Sequence, residues 1–149
     1  MRYYIMNLPT YTSGLLFAKA HKQVRIRVFE VLDKYDLNPT YWSILGATNH
    51  SGEGIRLTNV AALLGVKAPM VTTEANVLIE KGLIRRIPHH SDKRAKLLVM
   101  TPKGSKLAEI VEKDLNTEVG KLLDGLTFEE IQIFEKTLNI IIHNSEKSY

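Results

Sequence analysis

Cysteine is absent from all 149 residues. That excludes disulfides, thiolate metal sites and cysteine redox sensing, and it favours an intracellular compartment. Long apolar runs are also lacking: nothing approaches the roughly 18–20 apolar residues of a membrane span. At the N-terminus, Asn7, Pro9, Thr10 and Ser13 interrupt what would be the apolar core of a signal peptide. A cytoplasmic protein with no membrane partner is therefore expected. Catalytic signatures are missing as well, with no Gly-rich phosphate loop, nucleophile elbow or clustered carboxylate pair. Neither an enzyme nor a cofactor is expected. The histidines show no His-x-x-x-His spacing, and the adjacent pair His89 and His90, although close to Asp92, cannot easily face one ion together. No metal site is expected.

What is present is a strong local excess of positive charge. Two β-favouring runs, Leu83–Pro88 and Ala95–Thr101, flank the polar loop His89–Arg94, the pattern of a β-hairpin with a long tip. Between Leu83 and Leu97 sit Arg85, Arg86, Lys93, Arg94 and Lys96 against the single acid Asp92, a net of +4. The whole chain, with 20 basic and 16 acidic residues, is also +4, so the remaining charges cancel. A chain whose entire excess charge sits on one hairpin is presenting that hairpin to a polyanion.

The rest of the chain reads as helices around this hairpin. Met1–Thr12, rich in tyrosine and apolar residues but carrying Pro9, reads as an extended arm. From Ser13 to Tyr35 the residues Leu16, Ala20, Val24, Val28, Leu32 and Tyr35 recur at amphipathic helical spacing. Asn38 can cap and Pro39 can open a second helix, Thr40–Thr48, which carries Tyr41 and Trp42. Ile55–Leu57 looks like a very short strand. Thr58 is placed to cap a short helix, Asn59–Leu64, that Gly65 breaks. A helix over Lys67–Lys81 follows, with Pro69 in its first turn and Gly82 as a left-handed cap. Two short helices about a glycine turn, then a basic hairpin, make a helix-turn-helix with a wing. A long helix from Pro102 to about Asp124 follows, and then a last helix, Phe128–His143, opened by the capping box of Thr127 and Glu130. Ile131, Phe134, Leu138 and Ile141, with Ile133, Ile140 and Ile142 round the sides, leave that last helix needing cover on more than one side. The fold class expected is mainly α (α+β): a winged helix-turn-helix over residues 37–101, with residues 1–36 and 102–149 forming a helical dimerisation layer in a single structural unit.

The run Asp92-Lys93-Arg94 followed by Leu97-Leu98-Val99-Met100-Thr101-Pro102-Lys103-Gly104 resembles the wing tip, third strand and T-x-x-G helix start of the MarR family of transcription regulators. Leu37-Asn38-Pro39-Thr40-Tyr41-Trp42, Leu63-Leu64-Gly65-Val66, Glu80-Lys81-Gly82-Leu83-Ile84 and Leu126-Thr127-Phe128-Glu129-Glu130 extend the resemblance over nearly the whole chain. The resemblance implies a homodimeric repressor on pseudo-palindromic double-stranded DNA, with the second helix of each motif in a major groove and the wing along a minor groove. By that analogy Arg94 enters the minor groove, with Asp92 orienting it. Guanidinium suits a narrow groove of enhanced negative potential. The resemblance also implies release by a small aromatic or phenolic effector held between the dimer helices and the winged module, for which His21, Arg25, Tyr41 and Trp42 are the candidate lining. Plain core packing is the competing role for Trp42.

Within Lys67–Lys81 the sequence departs from the family, which commonly carries arginine there. If Val71, Ala75 and Leu78 pack inward, then Lys67, Pro69, Met70, Thr72, Thr73 and Asn76 lie nearer the groove. Asn76 could read adenine bidentately, and Met70, Thr72 or Thr73 could touch a thymine methyl, so an A·T-leaning preference is expected. Arg86, Lys93 and Arg94 of the hairpin would supply most of the affinity. Glu74 has no evident role. A winged helix serving as a protein-interaction module in a larger complex, and a metal-responsive regulator, are the alternatives.

Overall fold

The computed structural model describes residues 10–89 and 95–147. The tip residues His90, Ser91, Asp92, Lys93 and Arg94, and the arm residues Met1–Pro9, lie outside them. The elements run α1 (Thr10–Asp33), α2 (Pro39–His50), β1 (Ile55–Arg56), α3 (Leu57–Leu64), α4 (Ala68–Glu80), β2 (Ile84–Pro88), β3 (Lys96–Met100), α5 (Pro102–Gly120) and α6 (Phe128–Glu146), with a 3-10 turn over Lys121–Leu123.

Several boundaries differ from the sequence reading, each for a local reason. Helix α1 already begins at Thr10, so the end of the expected arm is helical, and it stops at Asp33 rather than Tyr35. There Asp36 takes a left-handed conformation (φ 53°), and the Leu37 amide donates back to the Leu32 carbonyl at 3.1 Å. A short polar side chain tolerates that conformation better than most, so aspartate stands where glycine usually closes a helix. Helix α3 starts at Leu57, with Arg56 rather than Thr58 at the cap position and no side-chain cap. Pairing of Ile55 with Leu98 and Arg56 with Leu97 holds Arg56 extended, so the strand runs straight into the helix.

Other signals act as read. Asn38 accepts from the Tyr41 amide at 2.8 Å, and Pro39 opens α2. Gly65 and Gly82 are left-handed (φ 64° and 71°), and the Leu83 amide closes α4 onto the Leu78 carbonyl at 2.9 Å. Thr127 and Glu130 form the capping box: the Thr127 amide donates to the Glu130 carboxylate at 2.8 Å, and the Thr127 hydroxyl accepts from the Glu130 amide at 3.2 Å. The Thr127 amide, and secondly the Thr127 hydroxyl, which donates to the same carboxylate at 3.0 Å, hold the Glu130 carboxyl below the usual glutamate range. A lowered folded value means a contribution present above the unfolded pKa and lost as pH falls through the folded one. Thr127→Ala keeps the amide bond but removes the hydroxyl's part, and should lower the melting temperature by roughly 2–4 °C at neutral pH, with the difference shrinking as pH falls through the folded pKa of Glu130. Parallel thermal melts of both proteins across that range check it.

The strands form one antiparallel sheet in the order β1-β3-β2, with β2 on an edge. Its ladder continues past the strands through the His89 amide to the Ala95 carbonyl at 3.0 Å, so the wing's tip begins immediately beyond a closed pair. One core joins the motif to the flanking helices. Val31 and Leu32 of α1, Ile44 and Leu45 of α2, Val60 of α3, Val71, Ala75 and Leu78 of α4, Ile84 and Leu98 of the sheet, and Val111 and Leu115 of α5 are all buried in it. The Tyr35 hydroxyl donates to Asp114 at 2.5 Å and fastens the end of α1 to α5.

The root of the wing is fixed by the Thr101–Gly104 corner. Thr101 caps α5 by accepting from the Gly104 amide at 3.0 Å while its hydroxyl donates to the Gly82 carbonyl at 2.7 Å. A methyl group placed on Gly104 would meet the Leu83 carbonyl oxygen at 1.9 Å. That approach is the physical reason for the T-x-x-G pattern.

Helix α6 behaves differently. It buries no residue, and Phe128, Ile133, Phe134, Ile140, Ile141 and Ile142 are exposed along it. Leu15, Leu16, Phe17, Ile26 and Phe29 are likewise exposed on α1. Between these helices lies an apolar cleft of about 240 Å³, lined by Phe17, Ala20 and Val24 on one side and Phe134 and Leu138 on the other.

Candidate nucleic-acid interface

Helix α4 turns Val71, Ala75 and Leu78 into the core, the spacing expected. Its opposite side carries the exposed residues Lys67, Pro69, Met70, Thr73 and Asn76, with Thr72 half-buried beside them. The two threonine hydroxyls are committed to their own helix: Thr72 donates to the Ala68 carbonyl at 2.9 Å and Thr73 to the Pro69 carbonyl at 3.2 Å. With their protons used, these side chains can offer a methyl group or an acceptor oxygen outward but no further donor.

Strand β2 runs beside this face. Ile84 is buried, and two residues on, pointing to the same side of the sheet, Arg86 reaches past the core edge. Its Nη2 donates to Asn76 Oδ1 at 2.7 Å. Arg85 is exposed on the other side of the strand. Of the sequence candidates for DNA contact, the structure thus places Lys67, Pro69, Met70, Thr72, Thr73, Asn76 and Arg86 on one continuous surface. The contribution of Lys93 and Arg94, and the orienting role of Asp92, fall outside the described residues. Sequence reading missed the Arg86–Asn76 contact, because the two are ten positions apart on elements of different period.

Glu74 now has a location. It is half-buried on the flank of α4 towards α2, where its carboxylate and burial together push the Tyr41 hydroxyl above its ordinary pKa, burial being the larger cause. Lys81, at the end of α4, is paired with Asp36. Glu74 is therefore turned towards α2.

The four effector-pocket candidates divide. His21 and Arg25 line a cleft of about 530 Å³ between α1 and the start of α2, with Val28, Phe29 and Asn38-Pro39-Thr40. The Arg25 guanidinium lies 5.7 Å from the centre of the Phe29 ring. Tyr41 and Trp42 do not line this cleft: Tyr41 faces Glu74, and Trp42 packs against the edge of the core. Phe29 and the Asn38–Thr40 turn were not among the sequence candidates, although their position at the first helix junction was the signal available. Among the described residues no group of three His, Cys, Asp or Glu is placed to hold a metal ion, and no helix is long and apolar enough to cross a membrane.

A three-stranded winged helix-turn-helix, with a long helix on either side of it in sequence, defines the class. Residues 35–95 match the profile of the MarR family. Among solved structures, CouR from Rhodococcus jostii RHA1 bound to p-coumaroyl-CoA superposes with a TM-score of 0.78 at 25% identity, covering 86% of this chain and 90% of that one. A MarR-family transcriptional regulator from Rhodococcus sp. RHA1 gives 0.79 at 22%, covering 91% and 95%. A mutant MarR from E. coli complexed with operator DNA gives 0.74 at 20%, covering 95% and 99%. Over residues 35–95 the chain thus carries the MarR-family match, and as a whole it has the winged helix-turn-helix fold of that family's regulators.

Proposed function

We propose that this regulator binds duplex DNA as a homodimer, α4 of each subunit entering a major groove and the wing following the adjacent minor groove, on an inverted repeat with half-sites about 10–11 bp apart. The observation that carries the reading is the surface shared by α4 and β2: small polar and apolar side chains suited to base edges lie beside a strand that bears Arg85 and Arg86. Lys93, Arg94 and Asp92 extend that surface by analogy with the family. The dimer is supported by the apolar residues left uncovered on α1 and α6, which a second copy of the same chain can bury. On this reading residues 37–101 form the DNA-binding region, and 1–36 with 102–149 the dimerisation region. The protein acts in the cytoplasm as a repressor and not as an enzyme.

A small aromatic acid is the proposed effector. The cleft beside His21 and Arg25 joins a cation and an imidazole to apolar walls, which suits a carboxylate attached to a ring. The structurally similar CouR is bound to p-coumaroyl-CoA, whose aromatic acyl group supports an aromatic ligand, although as a thioester it carries no carboxylate there.

The charge argument is tested by salt. If each subunit neutralises about three phosphates, a dimer engages about six, and log K against log salt should fall with a slope of about −5. Fluorescence anisotropy on an inverted-repeat duplex between 50 and 300 mM salt measures it, at concentrations of roughly those values chosen for the known sensitivity of such contacts. A slope near zero would remove the phosphate contacts, and the reading with them.

A further inference from the structure

Resting on the DNA-binding reading above, we propose that Arg86 and Asn76 act as one base-reading unit that selects guanine, with the wing strand supplying the arginine that the recognition helix lacks. Helix α4 contains no arginine. Arg86 comes from β2, yet its Nη2 stands 2.7 Å from Asn76 Oδ1, on the exposed side of that helix.

The chemistry of the contact determines what the pair can recognise. A guanidinium has donors only, so the Asn76 amide must turn its oxygen to Arg86, and its NH₂ end is left facing away. The adenine contact expected from an isolated asparagine needs that oxygen to accept from the base N6 amine while the NH₂ donates to N7. Here the oxygen is already engaged, and a fixed positive charge stands beside it. What the pair offers outward is a set of donors: the two amide hydrogens of Asn76 and the remaining N–H groups of Arg86. In the major groove guanine presents two adjacent acceptors, N7 and O6, whereas adenine presents one acceptor and one donor. A donor-only unit with a cation fits guanine and disfavours the adenine amine. The expected lean towards A·T then holds for the base pairs beneath Met70, Thr72 and Thr73 but is reversed beneath Asn76.

Strand geometry makes the arrangement durable. Ile84, on the same side of β2, is buried in the core, and Arg86 is paired in register with the buried Leu98. The backbone that carries Arg86 is thus anchored at both positions, and only its side chain is free to approach the groove. Both Arg86 and Asn76 are exposed, so either can be replaced without opening the core.

The test uses the full chain and a duplex selected from a random pool, followed by equilibrium binding to every single-base variant of one half-site. The wild type should show guanine at one position per half-site. Arg86→Ala and Asn76→Ala should each reduce discrimination at that same base pair by about tenfold to a hundredfold, and the double variant should lose no more than the larger single loss. Arg86→Lys should keep the salt slope but not the discrimination, since a single ammonium cannot reproduce the planar fork. The inference is overturned if adenine is preferred at the position Asn76 controls, or if the two alanine variants relax different base pairs. It is equally overturned if Arg86→Ala weakens all sequences alike while the salt slope shrinks by about 0.9 per subunit, the mark of a phosphate contact. A wild type that binds no duplex at any salt concentration would instead remove the DNA reading, and this inference with it.

Discussion

Gly104→Ala should destabilise the chain by about 3 kcal/mol or more, at the upper end of what overpacking costs. The added methyl would sit 1.9 Å from the Leu83 carbonyl oxygen and 2.8 Å from its carbon. The obstacle is backbone, not the end of a flexible side chain. Leu83 cannot yield easily, since its amide closes α4 and its carbonyl accepts from the Thr101 amide at 3.0 Å. Relief would require α5 to move away from the root of the wing, breaking the Thr101 cap as well. Gly120→Ala, where a methyl would meet nothing within 4 Å, is the control and should leave stability unchanged or slightly raised. Urea titrations of the two variants against the wild type decide the matter. Equal stability of Gly104→Ala and wild type would mean that the close approach of α5 and Leu83 does not constrain the fold.

Ile141→Asp should raise the dissociation constant of the proposed homodimer by roughly a thousandfold, since each interface would carry an unpaired carboxylate on both copies. Ile141 is 56% exposed in the single chain, on a helix that buries nothing of its own. The substitution therefore has little to disturb within one subunit and much to disturb between two. Sedimentation at micromolar concentration should show a folded monomer by mass and circular dichroism. DNA binding should follow: a monomer holding half the phosphates should show a salt slope near −3 in place of about −5. A variant that still sediments as a dimer with unchanged affinity would place the subunit contact elsewhere.

The parts of this structure that were legible in the sequence are those fixed over a few residues. Asn38 with Pro39, Thr101 with Gly104, the Thr127–Glu130 box and the left-handed Gly65 and Gly82 all act through bonds to near neighbours, so their spacing carries the information. Val71, Ala75 and Leu78 were legible for the same reason, as helical periodicity tells which way α4 must face. What escaped depended on partners distant in sequence. Thr58 looked like a cap because pairing of Arg56 with Leu97 cannot be seen from either residue. Asp36 takes a glycine-like turn in company with Lys81, 45 positions away. Tyr41 and Trp42 are neighbours of the cleft residues in sequence, but helix rotation turns one towards Glu74 and the other onto the core. Within the candidate interface the exposed side of α4 was readable, while the bond that joins Arg86 to Asn76 was not, and that bond changes the chemistry the surface offers.

The corner at Gly104 also governs how movement would travel. Because α5 is seated directly on the backbone at the foot of the hairpin, and is bolted to the end of α1 through Tyr35 and Asp114, wing and long helix must swing as one lever. A shift of α5 by a fraction of a turn would be delivered directly to the foot of the wing. In the proposed dimer, the distance between the two wings would then be set by how far apart the long helices splay.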